Sequence, residues 1–213
     1  MGWQAVFAHE LRLFLYSPLT YIFLLGFLIS LSVCVFLVAD FYASDQASIR
    51  LMLVFLPWIA LILVPALAMR SWSDEYSDRS VELVLTLPLR LSAIVVGKFL
   101  AGYSVLLLAL LFTTPLAFTV YYLGEPDIGR IFAGYLAMAL LLGLYYAIAM
   151  LAVALTREPV AAFVLGIALL FLLLLLGWDA VARALSGHLP ATVLDLLTLF
   201  SPKTHLDAVA SGW

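Results

Sequence analysis

Two stretches of this chain begin as chemistry does. "HELRL" at His9–Leu13 opens like a zinc-protease helix, but Leu13 stands where the second His belongs, so one helix face offers a single imidazole ligand. "VVGKF" at Val95–Phe99 holds the Gly-Lys pair of a phosphate-binding loop, without the earlier Gly or the following Ser or Thr that would cradle phosphate and magnesium. No Gly-x-Ser-x-Gly turn is present to expose a nucleophile. His9, His188 and His205 are scattered along the chain and read as solvent-facing or interfacial side chains. Cys34 is the single cysteine, which leaves no intrachain disulfide or zinc cluster. It lies in an apolar run, where a thiol packs as a small hydrophobe. These residues predict no catalytic site, no metal and no cofactor in this chain, and the apolar runs hold no paired catalytic groups for an intramembrane enzyme.

Charge is where the sequence becomes specific. The chain has 10 Lys or Arg and 13 Asp or Glu. Eight of them fall between Arg70 and Lys98, namely Arg70, Asp74, Glu75, Asp78, Arg79, Glu82, Arg90 and Lys98. Within "SDEYSDRSVELVLTLPLR" the pattern predicts a helix over about Asp74–Leu87, with acidic residues at its start, as a helix dipole favours, and Pro88 closing it. Val81, Val84 and Leu85 share one face at i, i+3 and i+4. An apolar stripe flanked by charges is either a cap lying on the membrane surface or a peg that docks into a groove of a soluble partner.

The elements that hold this segment are apolar. The chain is 66% hydrophobic and 11% charged, against roughly 25% charged in soluble domains. The formal net charge of −3 comes without a basic block, which argues against a nucleic-acid partner. Leu13–Ala39, Leu51–Met69, Phe99–Gly124, Ile131–Thr156 and Pro159–Trp178 carry no Asp, Glu, Lys or Arg over 27, 19, 26, 26 and 20 residues. About 20 apolar residues cross a bilayer, and in lipid such runs satisfy their backbones only as helices. The expectation is an all-α, polytopic membrane helix bundle in one domain, 1–213. It has an interfacial helix at 3–15, five spans at about 18–39, 51–69, 99–122, 131–155 and 159–178, a coupling segment at 70–98, and an outer re-entrant segment at 179–213. The first run reads as a span and not as a cleaved leader, since it is long and lacks a positive flank. Pro57, Pro65 and Pro115 are expected to kink their spans.

On the N-terminal helix Trp3, Val6, Phe7, Leu11 and Phe14 share a face, and His9 and Arg12 take the other. Glu10 falls on the apolar face, where a carboxylate either snorkels to water or needs a partner; for the second case a cation of the 70–98 segment is expected, with Arg79 first. None of the five runs contains the mid-membrane ionisable group that ion-coupled transporters use. With no phosphate loop either, the chain has no visible energy source of its own.

The segment "ALAMRSWSDEYSDRSVELVLTLPLRLSAIVVGKFLAG" resembles the region between spans two and three of exporter-type (type 2) ABC transporter permeases, in particular the gliding-motility-associated permease branch. That family shows an acidic pair, a basic residue, Gly-Thr-x-Glu-Leu-Leu, a later Pro, and Gly-Lys before span three. Asp74-Glu75, Arg79, Glu82-Leu83, Pro88 and Gly97-Lys98 match it, while Arg79-Ser80 replaces the Gly-Thr. "ELRLFLYSPLTYIF", "ALTREPVAAFVLG" and "FSPKTHLDAVASGW" are similar to its interfacial helix, its turn between spans four and five, and its outer segment. The family has six spans, and the sixth is absent from the five read here.

The resemblance implies a permease that moves substrate outward across the inner membrane. It implies a dimer with a second permease copy or a homologous one, in the lipid bilayer. A separate ATPase subunit would hold the ATP and magnesium. Asp74, Glu75, Asp78, Arg79, Glu82, Leu83, Val84, Leu85 and Pro88 would couple the chain to that ATPase. A non-transporting membrane scaffold or assembly subunit is the alternative class. Leu- and Phe-rich spans suit a lipid-like or amphipathic cargo better than a bare ion.

Five spans place Arg12, Arg70, Arg79, Arg90, Lys98 and Arg157 on one side, and Arg50, Arg130, Arg183 and Lys203 on the other. The richer side is cytoplasmic by the positive-inside rule, which puts the N-terminus in the cytoplasm. Tyr121, Tyr122 and Trp178 then mark outer interfaces. A reporter fused at Asp78 is expected to read cytoplasmic and one at Asp127 outside; the same side from both would overturn the span count or the orientation.

Overall fold

A computed structural model describes residues 2–38, 50–77, 91–123, 128–156, 158–178, 181 and 201–211. The described residues are almost entirely helical. α1 is Trp3–Tyr16, and α2 is Pro18–Val33, continued by a π-helical turn at Cys34–Val38. α3 is Arg50–Ser77, α4 Leu91–Leu111, α5 Thr114–Leu123, α6 Ile128–Leu155, α7 Pro159–Leu175 and α8 Pro202–Ser211. Three of these starts use proline at the first helical position, where its missing N–H costs nothing: Pro18 after Ser17, Pro159 after Glu158, and Pro202 after Ser201.

Helix boundaries differ from apolar-run boundaries in an instructive way. The apolar run of the second span stops at Met69, but α3 continues unbroken through Ser77. Asp74 and Glu75 therefore extend α3, and the helix expected to begin near Asp74 does not begin there. α4 likewise starts at Leu91, eight residues before the apolar run at Phe99, so Lys98 lies inside it. A charged residue ends the lipid-compatible stretch without ending the hydrogen-bond ladder.

Among the described residues, four stretches are long and apolar enough to cross a bilayer: Pro18–Leu37, Arg50–Arg70, Ser92–Thr119 and Ile128–Leu155. α7 is shorter, with 17 residues, which is about 26 Å of helix and the lower limit for spanning. α8 falls within the stretch expected to be re-entrant; the two amphipathic pieces read at 179–185 and 191–200 lie outside the described residues, apart from Val181.

The prolines behave unequally. Pro57 and Pro65 are accommodated within continuous α3, whereas the third span breaks at Phe112-Thr113, between α4 and α5, just ahead of Pro115. Proline there cannot donate to the carbonyl four residues back. Thr113, fully buried, sits at the break: its hydroxyl donates to the Leu110 carbonyl at 2.6 Å, which also accepts the Thr113 N–H at 3.1 Å, and lies 3.1 Å from the Tyr135 hydroxyl of α6. The buried hydroxyl is thereby paired within the bundle, as lipid requires.

The core gathers where α3 meets α6 and α7, α6 meets α7 and α4, and α2 leans on α3. Small residues set these approaches, as is usual between membrane helices. A Cβ on Gly166 of α7 would stand 3.1 Å from Pro65 of α3 and 3.7 Å from Ala152 of α6. Gly102 of α4 makes room for the Tyr146 ring of α6, whose hydroxyl and ring end a Cβ would overlap. Phe99 stacks beside Tyr103 and Tyr146 at 5.7 Å from each, and the Tyr103 hydroxyl donates to the Ala139 carbonyl at 3.0 Å.

The outer faces are as apolar as the inner ones. On α2, Thr20, Leu24, Phe27 and Leu31 are buried, while Leu19, Ile22, Leu25 and Ile29 are exposed. On α6, Phe132, Leu136, Leu140, Leu144, Leu151 and Leu155 form an exposed stripe. Hydrocarbon outside explains such surfaces, and water does not.

Gly102→Ala is expected to cost about 1–3 kcal/mol of stability by overpacking against Tyr146. The measurement is thermal or denaturant unfolding in detergent, and the loss is expected to shrink when Tyr146→Leu clears the space.

Candidate functional site

Among the described elements, α1 and α4 pack on each other the most extensively. Glu10 and Phe14 of α1 are buried, Val6, Phe7 and Leu11 are half-buried, and His9 and Arg12 are exposed. The face read from 3.6 periodicity is thus the packed one, with Trp3 left exposed at its start. What lets α1 come close is Gly97. A Cβ there would stand 2.8 Å from the Cβ and Cγ1 of Val6 and 3.1 Å from the Phe7 backbone nitrogen.

The next residue along α4 supplies the partner that Glu10 requires. Lys98 Nζ donates to Glu10 Oε1 at 2.9 Å, with side-chain exposures of 2% for Lys98 and 10% for Glu10. The cation found against Glu10 is therefore Lys98, the last residue of the charged segment; Arg79, the partner expected first, lies outside the described residues. Six residues separate Lys98 from Ser92, where the apolar stretch of α4 and α5 begins, or about 9 Å of helix. The pair lies toward the end of that span, under α1. Two charges this dry are tolerable only because each meets the other at hydrogen-bond distance.

The remaining charged residues fall on both sides of what is described. Asp74 and Glu75 lie on the terminal turns of α3. Asp78, Arg79, Glu82, Leu83, Val84, Leu85 and Pro88 lie outside the described residues, between α3 and α4. The ends that flank them, Ser77 and Leu91, belong to the two consecutive spans that this segment connects. Among the described residues, no three of His, Cys, Asp and Glu come together as a metal site would require.

The sequence left several polar seams unread: Thr113 with Tyr135, Tyr103 with the Ala139 carbonyl, and the edge-on pair of Trp58 and Trp178 at 6.0 Å. A signal existed for the first, since a Thr two residues before an in-span proline is well placed to sit at a break. For α1, the adjacent Gly97 and Lys98 were that signal: a notch followed by a charge.

A bundle of apolar helices with an apolar exterior, a packed N-terminal helix and a charged inter-span segment defines a multi-pass membrane protein. Residues 30–212 match the family described as ABC-2 family transporter protein, and the chain belongs to that family. It is the membrane permease component of an ABC transporter. No curated protein matches the chain.

Lys98→Met is expected to destabilise the protein by about 3–5 kcal/mol, because it strands a buried carboxylate. Glu10→Leu combined with Lys98→Met is expected to recover most of that loss, since apolar replacement of both partners is often neutral. Unfolding of the purified permease measures both.

Proposed function

We propose that this permease works as an exporter of the kind its sequence resembles in the gliding-motility-associated branch, driven by ATP hydrolysis in a separate subunit. It lies in the cytoplasmic (inner) membrane with its N-terminus in the cytoplasm, and pairs with a second copy or a homologous permease across the dimer. The ATPase, with its ATP and magnesium, docks from the cytoplasm on the segment between α3 and α4. The cargo is amphipathic, in keeping with the Leu- and Phe-rich spans.

The observation that carries this reading is the continuity of α3. Its 28 residues make about 42 Å of helix, more than the roughly 30 Å hydrocarbon core needs. The surplus carries Asp74 and Glu75 beyond the lipid. A rigid helix that leaves the membrane and leads straight into the segment 78–90 can receive a push there and deliver it to the bundle. The absence of an ionisable group deep in the apolar runs of the sequence agrees with energy arriving from another chain.

In the docked state the stripe Val81, Val84 and Leu85 enters a groove of the ATPase, and the charges around it fix the register. Val84→Asp is expected to weaken binding by orders of magnitude, since a buried unpaired carboxylate costs several kcal/mol. Glu82→Ala is expected to cost about 0–1 kcal/mol if that carboxylate lies at the rim. Copurification of the ATPase and its permease-linked turnover are the readouts. Full binding and turnover in Val84→Asp would favour the scaffold reading instead.

A further inference from the structure

The Glu10–Lys98 pair does something that its energetics alone do not require. A buried ion pair is seldom a net source of stability, and its best-attested use is to fix which residues face each other. Here the surrounding contact is apolar: Val6 and Phe7 lie over the notch at Gly97, and Phe14 is buried in the core. An apolar notch sets how close the two helices come, and its contacts are non-directional. The 2.9 Å bond adds the directional constraint.

What lies on either side of the pair gives the register a purpose. Lys98 is seven residues into α4, which starts where the segment 78–90 ends. Glu10 is six residues from the end of α1, where Ser17 alone joins it to α2 in an extended conformation, φ −86° and ψ 126°. α2 is the least embedded candidate span, 33% buried against 50–56% for the other three. It is the span with the fewest contacts to break when it moves.

We infer that the Glu10–Lys98 pair is a positioning device that locks α1 to α4 in one register, so that displacement at the start of α4 is delivered through α1 and the Ser17 joint to α2. This rests on the reading that an ATPase acts on the segment between α3 and α4. Glu10 and Lys98 are positioning residues, since neither touches ATP or cargo.

The test uses the intact permease–ATPase complex. Glu10→Leu with Lys98→Met keeps α1 apolar and packed but removes the directional bond. ATPase copurification is expected to persist, while permease-linked turnover falls about tenfold, within the usual range of coupling between sites. The charge swap Glu10→Lys with Lys98→Glu is expected to recover turnover in part.

Full turnover in the double apolar variant would overturn the proposal. A readout free of the ATPase separates the two hypotheses: the distance distribution between spin labels in the purified permease, placed on α1 and α4 by His9→Cys and Leu111→Cys in a Cys34→Ser background, both positions being exposed. It is expected to broaden by about one helical turn, ~5 Å, without the ion pair, and an unchanged distribution sinks the register claim. Failure of the ATPase reading shows differently, as a wild-type permease that captures no ATPase, and that result would overturn the delivery of movement to α2 as well.

Discussion

A charge cannot be buried alone, and the N-terminal half of this structure is organised around that constraint. Glu10 lies on the face of α1 that must pack, so the helix docks where a cation waits. Lys98 lies beside Gly97, so the cation is presented at a place on α4 where the α1 backbone can approach closely. Docking of α1, burial of the pair and the start of the third span are thus a single structural event. Remove the glycine and the helices part; remove either charge and the other is left in a dry interface.

The rest of the bundle obeys the same rule for neutral groups. Proline at 115 frees a carbonyl and breaks the third span, and Thr113 and Tyr135 gather at the break. Proline at 65 breaks nothing; its ring instead becomes a packing surface for Gly166. Two identical residues in comparable apolar surroundings therefore have different outcomes. What differs is the neighbour: a hydroxyl-bearing residue within reach in one case, a small residue on a facing helix in the other.

This explains what could be read from the sequence. The helical class, the positions of the long apolar elements, the packed face of α1 and the need for a partner at Glu10 follow from hydropathy and periodicity, which are properties of each segment taken singly. The identity of Lys98 as that partner, the extension of α3 through Ser77 and the early start of α4 do not, because apolar runs report where lipid is tolerated and helices stop elsewhere. The Tyr103, Tyr135 and Tyr146 contacts needed knowledge of which helices are neighbours. α8 went unread as a helix although Ser201-Pro202 repeats the Ser17-Pro18 start, because its ten residues, though amphipathic, are few and only weakly apolar overall.

The separation of 88 residues between Glu10 and Lys98 has a consequence for how the protein is made. A ribosome adding about 5–20 residues per second delivers Lys98 roughly 4–18 s after Glu10. Through that interval α1 has no acceptor surface, and its carboxylate must stay in water or among headgroups. α1 therefore docks only after the first two spans have been handed to the membrane and the third is entering it. α1 is synthesised before α2, α3 and α4 yet docks after them, and until it does, its oily face is open to whatever holds nascent chains at the membrane surface.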